Sequence, residues 1–401
     1  MTGIYKLTGS LQHYVWGGHD YLPKLLHIKK EPNQYYAEWW LGAHSSSPST
    51  IEVEEKQLSL IDFIRQHPEV LGSQSRALFG DELPYLLKIL DVKKPLSIQL
   101  HPTKKQAEIG FAEENSKGID LKDAKRTYKD NNHKPEMMIA LSDFWLLHGF
   151  KTKEKIIETL KNRPTLTALL SKLETQDMHG FYADIMQASQ TELANWLLPI
   201  IESNKIAYEK GELSLENPDY WVLYAMEAME ISPEKLDSGL ICFYLFNIVH
   251  TKTGEGIYQD AGIPHAYLRG QNIELMACSD NVIRGGLTPK HVDIPALLEV
   301  IDCREVVPEI IPPAPQENGA FTYSTPAKDF ALENVRYDAG IKVESKAENA
   351  TIIFVMQGTL KISQKNTALF LKQGESAFIC ADTQYRIEGI EQGYCVLSKL
   401  P

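Results

Sequence analysis

The sequence predicts a mainly β protein with an α-helical insertion, built from two β domains and one helical domain. Residues 1 to about 150 mix short strand-like runs with turns, whereas apolar residues within 151–238 recur at intervals of three and four. Strand-like runs return at about residue 240 and fill residues 320–401. A length of 401 residues also favours two or three domains over a single core.

The first β region contains one predicted helix. Ser59 is a good N-cap, apolar residues follow it, and the pair His67-Pro68 breaks the pattern. The apolar residues of this helix are Leu60, Ile61, Phe63 and Ile64. We therefore expect a helix that begins just after Ser59, within a region of strands and turns.

Residues 151–238 are predicted to form several short helices, which Pro164, Gly180 and Pro218 separate. The apolar side chains with helical spacing are Ile156, Ile157, Leu160, Leu166, Leu169, Leu170, Leu173, Leu193, Trp196, Leu197, Ile200 and Ile201. Because strand-like sequence lies on both sides, this block is predicted to be inserted into one β domain, made of residues 1–150 and 239–304.

The end of the chain is predicted to form a second β domain over residues 305–401. Residues 240–249 read as a strand, and Asp293 with Pro295 predicts the start of a helix. A proline-rich stretch over 306–315 then reads as an extended linker. All 12 histidines lie at or before His291, so we expect the last domain to bind no metal.

Composition excludes several classes of function. The chain is 43% hydrophobic and 23% charged, as in ordinary globular proteins, and has no apolar run long enough to span a membrane. Its net charge of −12 argues against nucleic acid or an anionic membrane as partner. The odd number of cysteines, five, without CxxC spacing and without a visible signal peptide, predicts free thiols in the cytoplasm. A small anionic substrate would need a local cluster of cations.

Gln99 and His101 are the first candidate metal ligands. They stand two residues apart in a strand-like run between Pro95 and Pro102, so both side chains are predicted to project from one face. An amide oxygen and an imidazole on the same face are suited to holding one metal ion. The alternative is a polar pair that is simply hydrogen-bonded in the interior.

Glu136 is the second candidate. It follows His133 and Lys134 and begins the apolar run 137–141. A carboxylate directed into an apolar interior needs a cation, which a metal would supply. The alternative is a polar surface turn that precedes a strand.

His265 is the third candidate. It follows Gly256 and Gly262, and this Gly-x5-Gly-x2-His spacing resembles the second metal motif of cupins, which hold a metal inside a small β-barrel. A buried, hydrogen-bonded histidine after a turn is the alternative. The stretch 274–290 adds Arg284 beside Gly285-Gly286, and Arg284, Lys290 and Lys134 could form the cationic cluster that an anionic substrate requires.

Several strings together give a resemblance to type I mannose-6-phosphate isomerases, in the order in which that family carries them. They are Tyr14-Val-Trp-Gly17, Ala37-Glu-Trp-Trp-Leu-Gly-Ala-His44, Lys94-Pro-Leu-Ser-Ile-Gln-Leu-His-Pro102, Asn132-His-Lys-Pro-Glu-Met137, Pro264-His-Ala-Tyr267 and residues 274–290. Leu100 and the pair Trp39-Trp40 are minor departures from the family pattern. The resemblance implies two cupin-like, double-stranded β-helix domains plus the helical domain.

The resemblance also implies a set of site residues, one zinc ion per chain and a monomer acting on a sugar phosphate. The implied zinc ligands are Gln99, His101, Glu136 and His265. The implied catalytic residues are Arg284, Lys134, Glu274 and His133, and the implied substrate-binding residues are Tyr267, Lys290, Trp16 and Asp280.

The implied reaction is the interconversion of mannose 6-phosphate and fructose 6-phosphate through a cis-enediol. The base that removes the C2 proton is open between Glu274, Lys134 and His133. Two other classes are carried as alternatives: a metal-dependent cupin oxygenase, which the fourth ligand Gln99 disfavours, and a sugar-binding cupin without turnover.

Overall fold

In a computed structural model, which describes residues 2–365 and 367–401, the chain is mainly β, with two ten-stranded antiparallel sheets and a set of helices. The strands are β1 Ile4–Thr8, β2 Ser10–Gln12, β3 Glu38–Gly42, β4 Thr50–Val53, β5 Lys56–Ser59, β6 Tyr85–Val92, β7 Gln99–Leu100, β8 Glu136–Ala140, β9 Phe144–Phe150, β10 Phe246–Thr251, β11 Gly256–Gln259, β12 His265–Ala277, β13 Ile283–Arg284, β14 Gly319–Thr322, β15 Ala331–Tyr337, β16 Lys342–Ala347, β17 Thr351–Gln364, β18 Thr367–Lys372, β19 Ser376–Ile379 and β20 Thr383–Lys399.

The helices concentrate between β9 and β10. They are α1 Tyr21–Leu26, α2 Leu60–Gln66, α3 Ser73–Phe79, α4 Lys104–Ser116, α5 Lys153–Lys161, α6 Ala168–Thr175, α7 Met178–Met186, α8 Gln190–Glu209, α9 Pro218–Ala228, α10 Cys242–Leu245 and α11 Ile294–Val300, with short 3₁₀ turns at Pro68–Leu71, Pro164–Leu166 and Ser238–Ile241. No helix in the described part of the chain is both long and apolar enough to cross a membrane.

Two predicted helix starts are confirmed by their caps. The Ser59 side chain accepts a hydrogen bond from the Asp62 backbone N–H at the start of α2, at 3.1 Å. The Asp293 side chain accepts one from the Ala296 N–H at the start of α11, at 3.0 Å. Both caps satisfy an N–H that the first helical turn leaves without a partner.

The predicted strand over 240–249 is wrong in its first half. A 3₁₀ turn and α10 occupy Ser238–Ile241 and Cys242–Leu245, and only then does β10 begin. The residues from Leu240 to Phe246 are all fully buried against the helices. A continuous apolar run that is buried on every side has no periodicity to separate strand from helix, which explains the error.

The first sheet, sheet I, joins both ends of the chain. Its order is β14-β15-β20-β17-β19-β1-β4-β5, with β16 paired to β20 and β18 to β17. The amino-terminal strand β1 therefore lies between β19 and β4, with Ile4 opposite Ile379 and Leu7 opposite Ile51. Strands from residues 4–59 thus complete a sheet whose other members come from residues 319–399.

The second sheet, sheet II, contains the candidate site residues. Its order is β10-β9-β12-β6-β3-β2, and β7, β8, β11 and β13 attach to it through β12, β7 and β8. Its two faces pack differently: Leu87, Ile273 and Met137 join the core shared with sheet I, whereas Leu90 and Met138 join a separate inner cluster. Since alternate residues point to opposite faces, Lys88, Glu136 and Glu274 share the inner face with that cluster.

Candidate metal centre

Three distant segments of the chain bring their polar side chains together on sheet II. Glu136 begins β8, His265 begins β12, and His101 directly follows β7. Strand β12 pairs with both β8 and β7, and this pairing assembles the cluster. The prediction that Gln99 and His101 both lie within a strand is half right, because the strand ends at Leu100 before Pro102.

The three side chains form a compact buried cluster. One ligand atom from each of His101, Glu136 and His265 lies within 4.8 Å of the others. His101 Nε2 is 3.3 Å from Glu136 Oε1, and His265 Nε2 is 3.3 Å from Glu136 Oε2. A tetrahedral centre with bonds of about 2.0–2.1 Å has ligand atoms about 3.3 Å apart, so these spacings fit a zinc-type ion.

The orientation of both imidazoles is fixed from behind. His101 Nδ1 is 2.8 Å from the Asn281 carbonyl oxygen, and His265 Nδ1 is 2.9 Å from the Ile263 carbonyl oxygen. A carbonyl only accepts, so Nδ1 carries the proton and the lone pair of Nε2 points into the cluster. Both Nε2 atoms and Glu136 Oε2 are buried and have no hydrogen-bond partner among the described residues. Buried polar atoms rarely stay unpaired, and a bound cation would pair all three.

The protonation states suit a cation. Burial lowers the pKa of His101 to about 4, so its ring is neutral near pH 7. Burial alone would raise the pKa of Glu136, but the charge of Lys134, followed by the interaction with His101, holds it well below its usual range. Lys134 Nζ lies 3.0 Å from Glu136 Oε1. The donor set is therefore one carboxylate and two imidazoles, of which that of His101 is neutral.

Asn281 connects the ligands to one another. Its fully buried side chain accepts from the Lys129 N–H at 2.7 Å and donates to the Asp130 and Asn132 carbonyls, each at 2.8 Å. Its own carbonyl accepts from His101. The loop that leads into Glu136 and the ring of His101 are thus held by one residue, which sequence reasoning did not single out as a site residue.

Gln99 lies beside the cluster in the backbone register. It pairs with His265 on β12 and with Arg284 on β13. Its side chain forms no hydrogen bond with other described residues. Its role as a fourth ligand stays a prediction.

A buried ion-pair network, which the sequence analysis missed, adjoins the triad. Lys88 Nζ lies 3.2 Å from Glu274 Oε2 and 3.5 Å from Glu38 Oε2, and all three side chains are less than a tenth exposed. Trp40 Nε1 also donates to Glu38. A signal existed in the sequence, because Lys88 is a charged residue in the middle of the apolar strand β6, which is buried at every position.

Burial and the neighbouring charges shift the pKa values of the groups in and beside this network. Burial, then the negative charge of Glu136, raises the pKa of Glu274, although Lys88 opposes the rise. Burial would lower the pKa of Lys88, but Glu38 and Glu274 raise it above its ordinary value. Burial and the charge of Glu274 also raise the pKa of Tyr267, whose hydroxyl stays protonated.

Arg284 and Lys290 supply positive charge without an ion-pair partner among the described residues. Burial lowers the pKa of Arg284, and burial followed by the charge of Arg284 lowers the pKa of Lys290. The two cations therefore lie close enough to repel each other. An anionic ligand would relieve that repulsion.

Three predicted site residues remain: Asp280, Trp16 and His133. Asp280 Oδ1 is 3.0 Å from His44 Nε2, and Trp16 packs against the inner cluster of sheet II, to which Tyr267 belongs. His133 Nε2 is instead 2.8 Å from Asp329 Oδ1, a residue just before β15. His133 thus connects the segment before Glu136 to the segment that leads into sheet I.

Fold and site together define a β protein with a buried centre of the kind that holds a divalent metal. A family model described as "Phosphomannose isomerase type I, catalytic domain" matches residues 4–153. Over 384 residues the chain is 34% identical to mannose-6-phosphate isomerase of Escherichia coli strain K12, covering 94% of this chain and 95% of that protein. It is 30% identical to the Homo sapiens enzyme of that name, with 94% of each covered.

Solved structures agree with the sequence relatives. A zinc-bound crystal structure of mannose 6-phosphate isomerase matches with a TM-score of 0.86 and 32% identity, covering 99% of both chains. A mutant phosphomannose isomerase from Salmonella typhimurium matches with a TM-score of 0.88 and 31% identity, again over 99% of both. The chain belongs to the type I phosphomannose isomerase family.

Proposed function

We propose that this protein is a zinc-dependent aldose–ketose isomerase that interconverts mannose 6-phosphate and fructose 6-phosphate. The observation that carries the proposal is the buried triad of His101, Glu136 and His265, whose inward-facing atoms lack partners and whose rings are oriented by backbone carbonyls. Membership of the family and the zinc-bound neighbour supply the reaction and the metal.

One zinc ion per chain would be held by the triad, with Gln99 as fourth ligand. Bound there, zinc supplies a redox-inert Lewis acid that polarises the sugar oxygens. The carbonyls of Asn281 and Ile263 keep the two imidazoles in the required tautomer. Neither the oxygenase nor the sugar-binding alternative has an observation of its own in its favour.

Glu274 is the base we favour for the proton at C2. It is buried on the inner face of sheet II, and Lys88 holds its position from 3.2 Å. Lys134 is engaged by Glu136, and His133 is engaged by Asp329. The carboxylate would take the C2 proton and return it to C1, while the carbonyl moves from C1 to C2 and a hydroxyl proton moves between the two oxygens.

Arg284 and Lys290 are proposed to meet the negative charge of the substrate. Arg284 is half-buried and unpaired among the described residues, so it can stabilise the enediolate, with Lys290 left for the phosphate. Tyr267, Trp16 and Asp280 would line the sugar pocket.

The finer architecture is also a proposal. We assign residues 1–150 and 239–304 to a catalytic cupin domain, 151–238 to an inserted helical domain and 305–401 to a metal-free cupin-like domain. The helices between β9 and β10 support the insertion. We also propose a monomer that acts in carbohydrate metabolism in the cytoplasm. The family supports the metabolic role, and the five free cysteines support the cytoplasm.

The decisive experiment follows hydrogen exchange. Purified, zinc-loaded protein is incubated with mannose 6-phosphate in deuterated water, and fructose 6-phosphate is analysed by NMR. Proton transfer through a solvent-exchangeable base places deuterium at C1 of the product. If the protein carries zinc and its circular dichroism spectrum shows that it is folded, failure to form fructose 6-phosphate would exclude the isomerase function.

A further inference from the structure

A large cleft lies where the linker crosses sheet II, and it borders the metal centre through His148 and Ile263 without including any of the proposed ligands. Its volume is about 820 Å³, and its apolar wall includes Tyr258, Val306, Ile310 and Phe321. None of the twelve residues predicted for the catalytic site lines it. The proposed isomerase therefore leaves this cleft without a function.

The wall on the linker side is a short strap fixed at both ends. Val306 N–H donates to the Phe150 carbonyl at 2.8 Å, and Ile311 exchanges two backbone hydrogen bonds with Gly256, at 2.8 and 3.0 Å. Between these anchors Val307 is 74% exposed and Ile310 40% exposed. Apolar side chains held at the edge of a cleft favour an apolar or aromatic occupant.

His148 supplies a buried hydrogen-bond acceptor in the same cleft. The residue is 6% exposed, and its Nδ1 is 2.7 Å from Gln259 Oε1. Because that oxygen accepts, Nδ1 carries the proton and Nε2 is the acceptor. Nε2 has no partner among the described residues, so a ligand N–H could use it.

The charge of the cleft favours a cation. Asp260, Glu305 and Glu309 line it against a single cation, Arg304, whose Nε lies 3.4 Å from Asp302. Within residues 2–365 and 367–401, Asp260 and Glu309 take part in no ion pair. The rim is thus negative, and an anion such as a sugar phosphate would be repelled.

We propose that this cleft is a second binding site, for a small aromatic amine that places its ring against the strap, its N–H on His148 and its ammonium group at the Asp260–Glu309 rim. His148 is the register partner of His265, so an occupant would contact the strand next to a metal ligand. The proposal does not depend on the isomerase function.

Tryptamine is the probe, because it has an aromatic ring, an N–H donor and a positive charge. Binding to the full-length, zinc-loaded protein is measured by isothermal titration calorimetry and saturation-transfer NMR, with indole-3-acetate as the matched anion. We expect tryptamine to bind with a Kd below about 1 mM and at least about tenfold more tightly than indole-3-acetate. Saturating mannose 6-phosphate should not displace it.

Two variants locate the site. Glu309→Lys reverses an exposed rim charge and should weaken tryptamine binding at least threefold, whereas Glu209→Lys, at the exposed end of α8, should not. His148→Phe should weaken binding about tenfold, and Glu309→Lys alone decides the question if that variant misfolds. Equal binding of the two indoles, displacement by mannose 6-phosphate, or unchanged affinity in Glu309→Lys would each overturn the proposal.

Discussion

Removal of the Lys88 ammonium group should destabilise the protein strongly, and by an amount that depends on pH. Lys88→Met keeps the aliphatic length but leaves Glu38 and Glu274 buried without their cation. At an effective dielectric constant of about 20, a pair of charges separated by 3.2–3.5 Å attracts by about 5 kcal/mol. Breaking a buried pair from one side costs about 3–5 kcal/mol, and we expect a loss in that range near pH 7.

The direction of the pH dependence follows from the carboxyl groups. Without Lys88, the folded-state pKa of Glu274, which burial and the charge of Glu136 already raise, would lie further above the unfolded value of about 4.3. The variant therefore loses stability as pH rises past that value and recovers it on acidification. The deficit against wild type should be smaller at pH 5.5 than at pH 7.5.

Urea unfolding, followed by tryptophan fluorescence at both pH values, measures these differences in the free energy of unfolding. Lys346→Met is the matched control, because Lys346 forms exposed pairs with Glu348 and Asp382, and its loss should change little. Adding Glu38→Gln and Glu274→Gln to Lys88→Met should restore part of the stability. A Lys88→Met variant as stable as the control at pH 7.5 would refute the reasoning.

Three further predictions concern the site and the helical segment. His101→Ala and His265→Ala should each lose zinc, measured by mass spectrometry, together with activity; full turnover by verified metal-free protein would contradict the metal assignment. Arg284→Ala should keep its zinc and lower kcat by about a hundredfold or more with little change in KM, since a preorganised donor acts in the transition state. A kcat near wild type with KM raised tenfold would instead make Arg284 a phosphate ligand. Lys151→Met should stabilise the protein by about 1–2 kcal/mol at pH 7 in thermal unfolding, because burial, then Arg163 and Lys155, lowers the pKa of Lys151 to about 8. The gain in stability should shrink as pH rises from 8 toward 10.5. A loss of stability at pH 7 would contradict this prediction.

The metal triad could be predicted from the sequence because a charged or polar side chain inside an apolar strand needs a partner that compensates its burial. Glu136 at the head of an apolar run and His265 after a glycine turn were conspicuous for that reason, and the structure brings them within reach of His101. Lys88 was missed although it stands in a similar context. Its partners Glu38 and Glu274 are distant in the chain, and only the pairing of β6 with β3 and β12 shows that they neutralise it.

The strand pairing of sheet I could not be predicted from the sequence. Capped helices such as α2 and α11 depend on neighbours within a few residues, so local patterns predicted them. The position of β1 depends instead on contacts with β19 and β4, which no local pattern encodes. The strand predicted for residues 240–249 was wrong for a related reason, since the helical first half of that run is determined by packing against the helices between β9 and β10.

The position of β1 in sheet I has a consequence for folding during synthesis on the ribosome. Ile4 is made about 375 residues before its partner Ile379. At about 5–20 residues per second, β1 waits roughly 20–75 seconds before β19 exists. During that interval the edge of β1 that will pair with β19 is open to wrong partners, so nascent chains of this protein should depend on chaperones that shield β1 until β19 has been made.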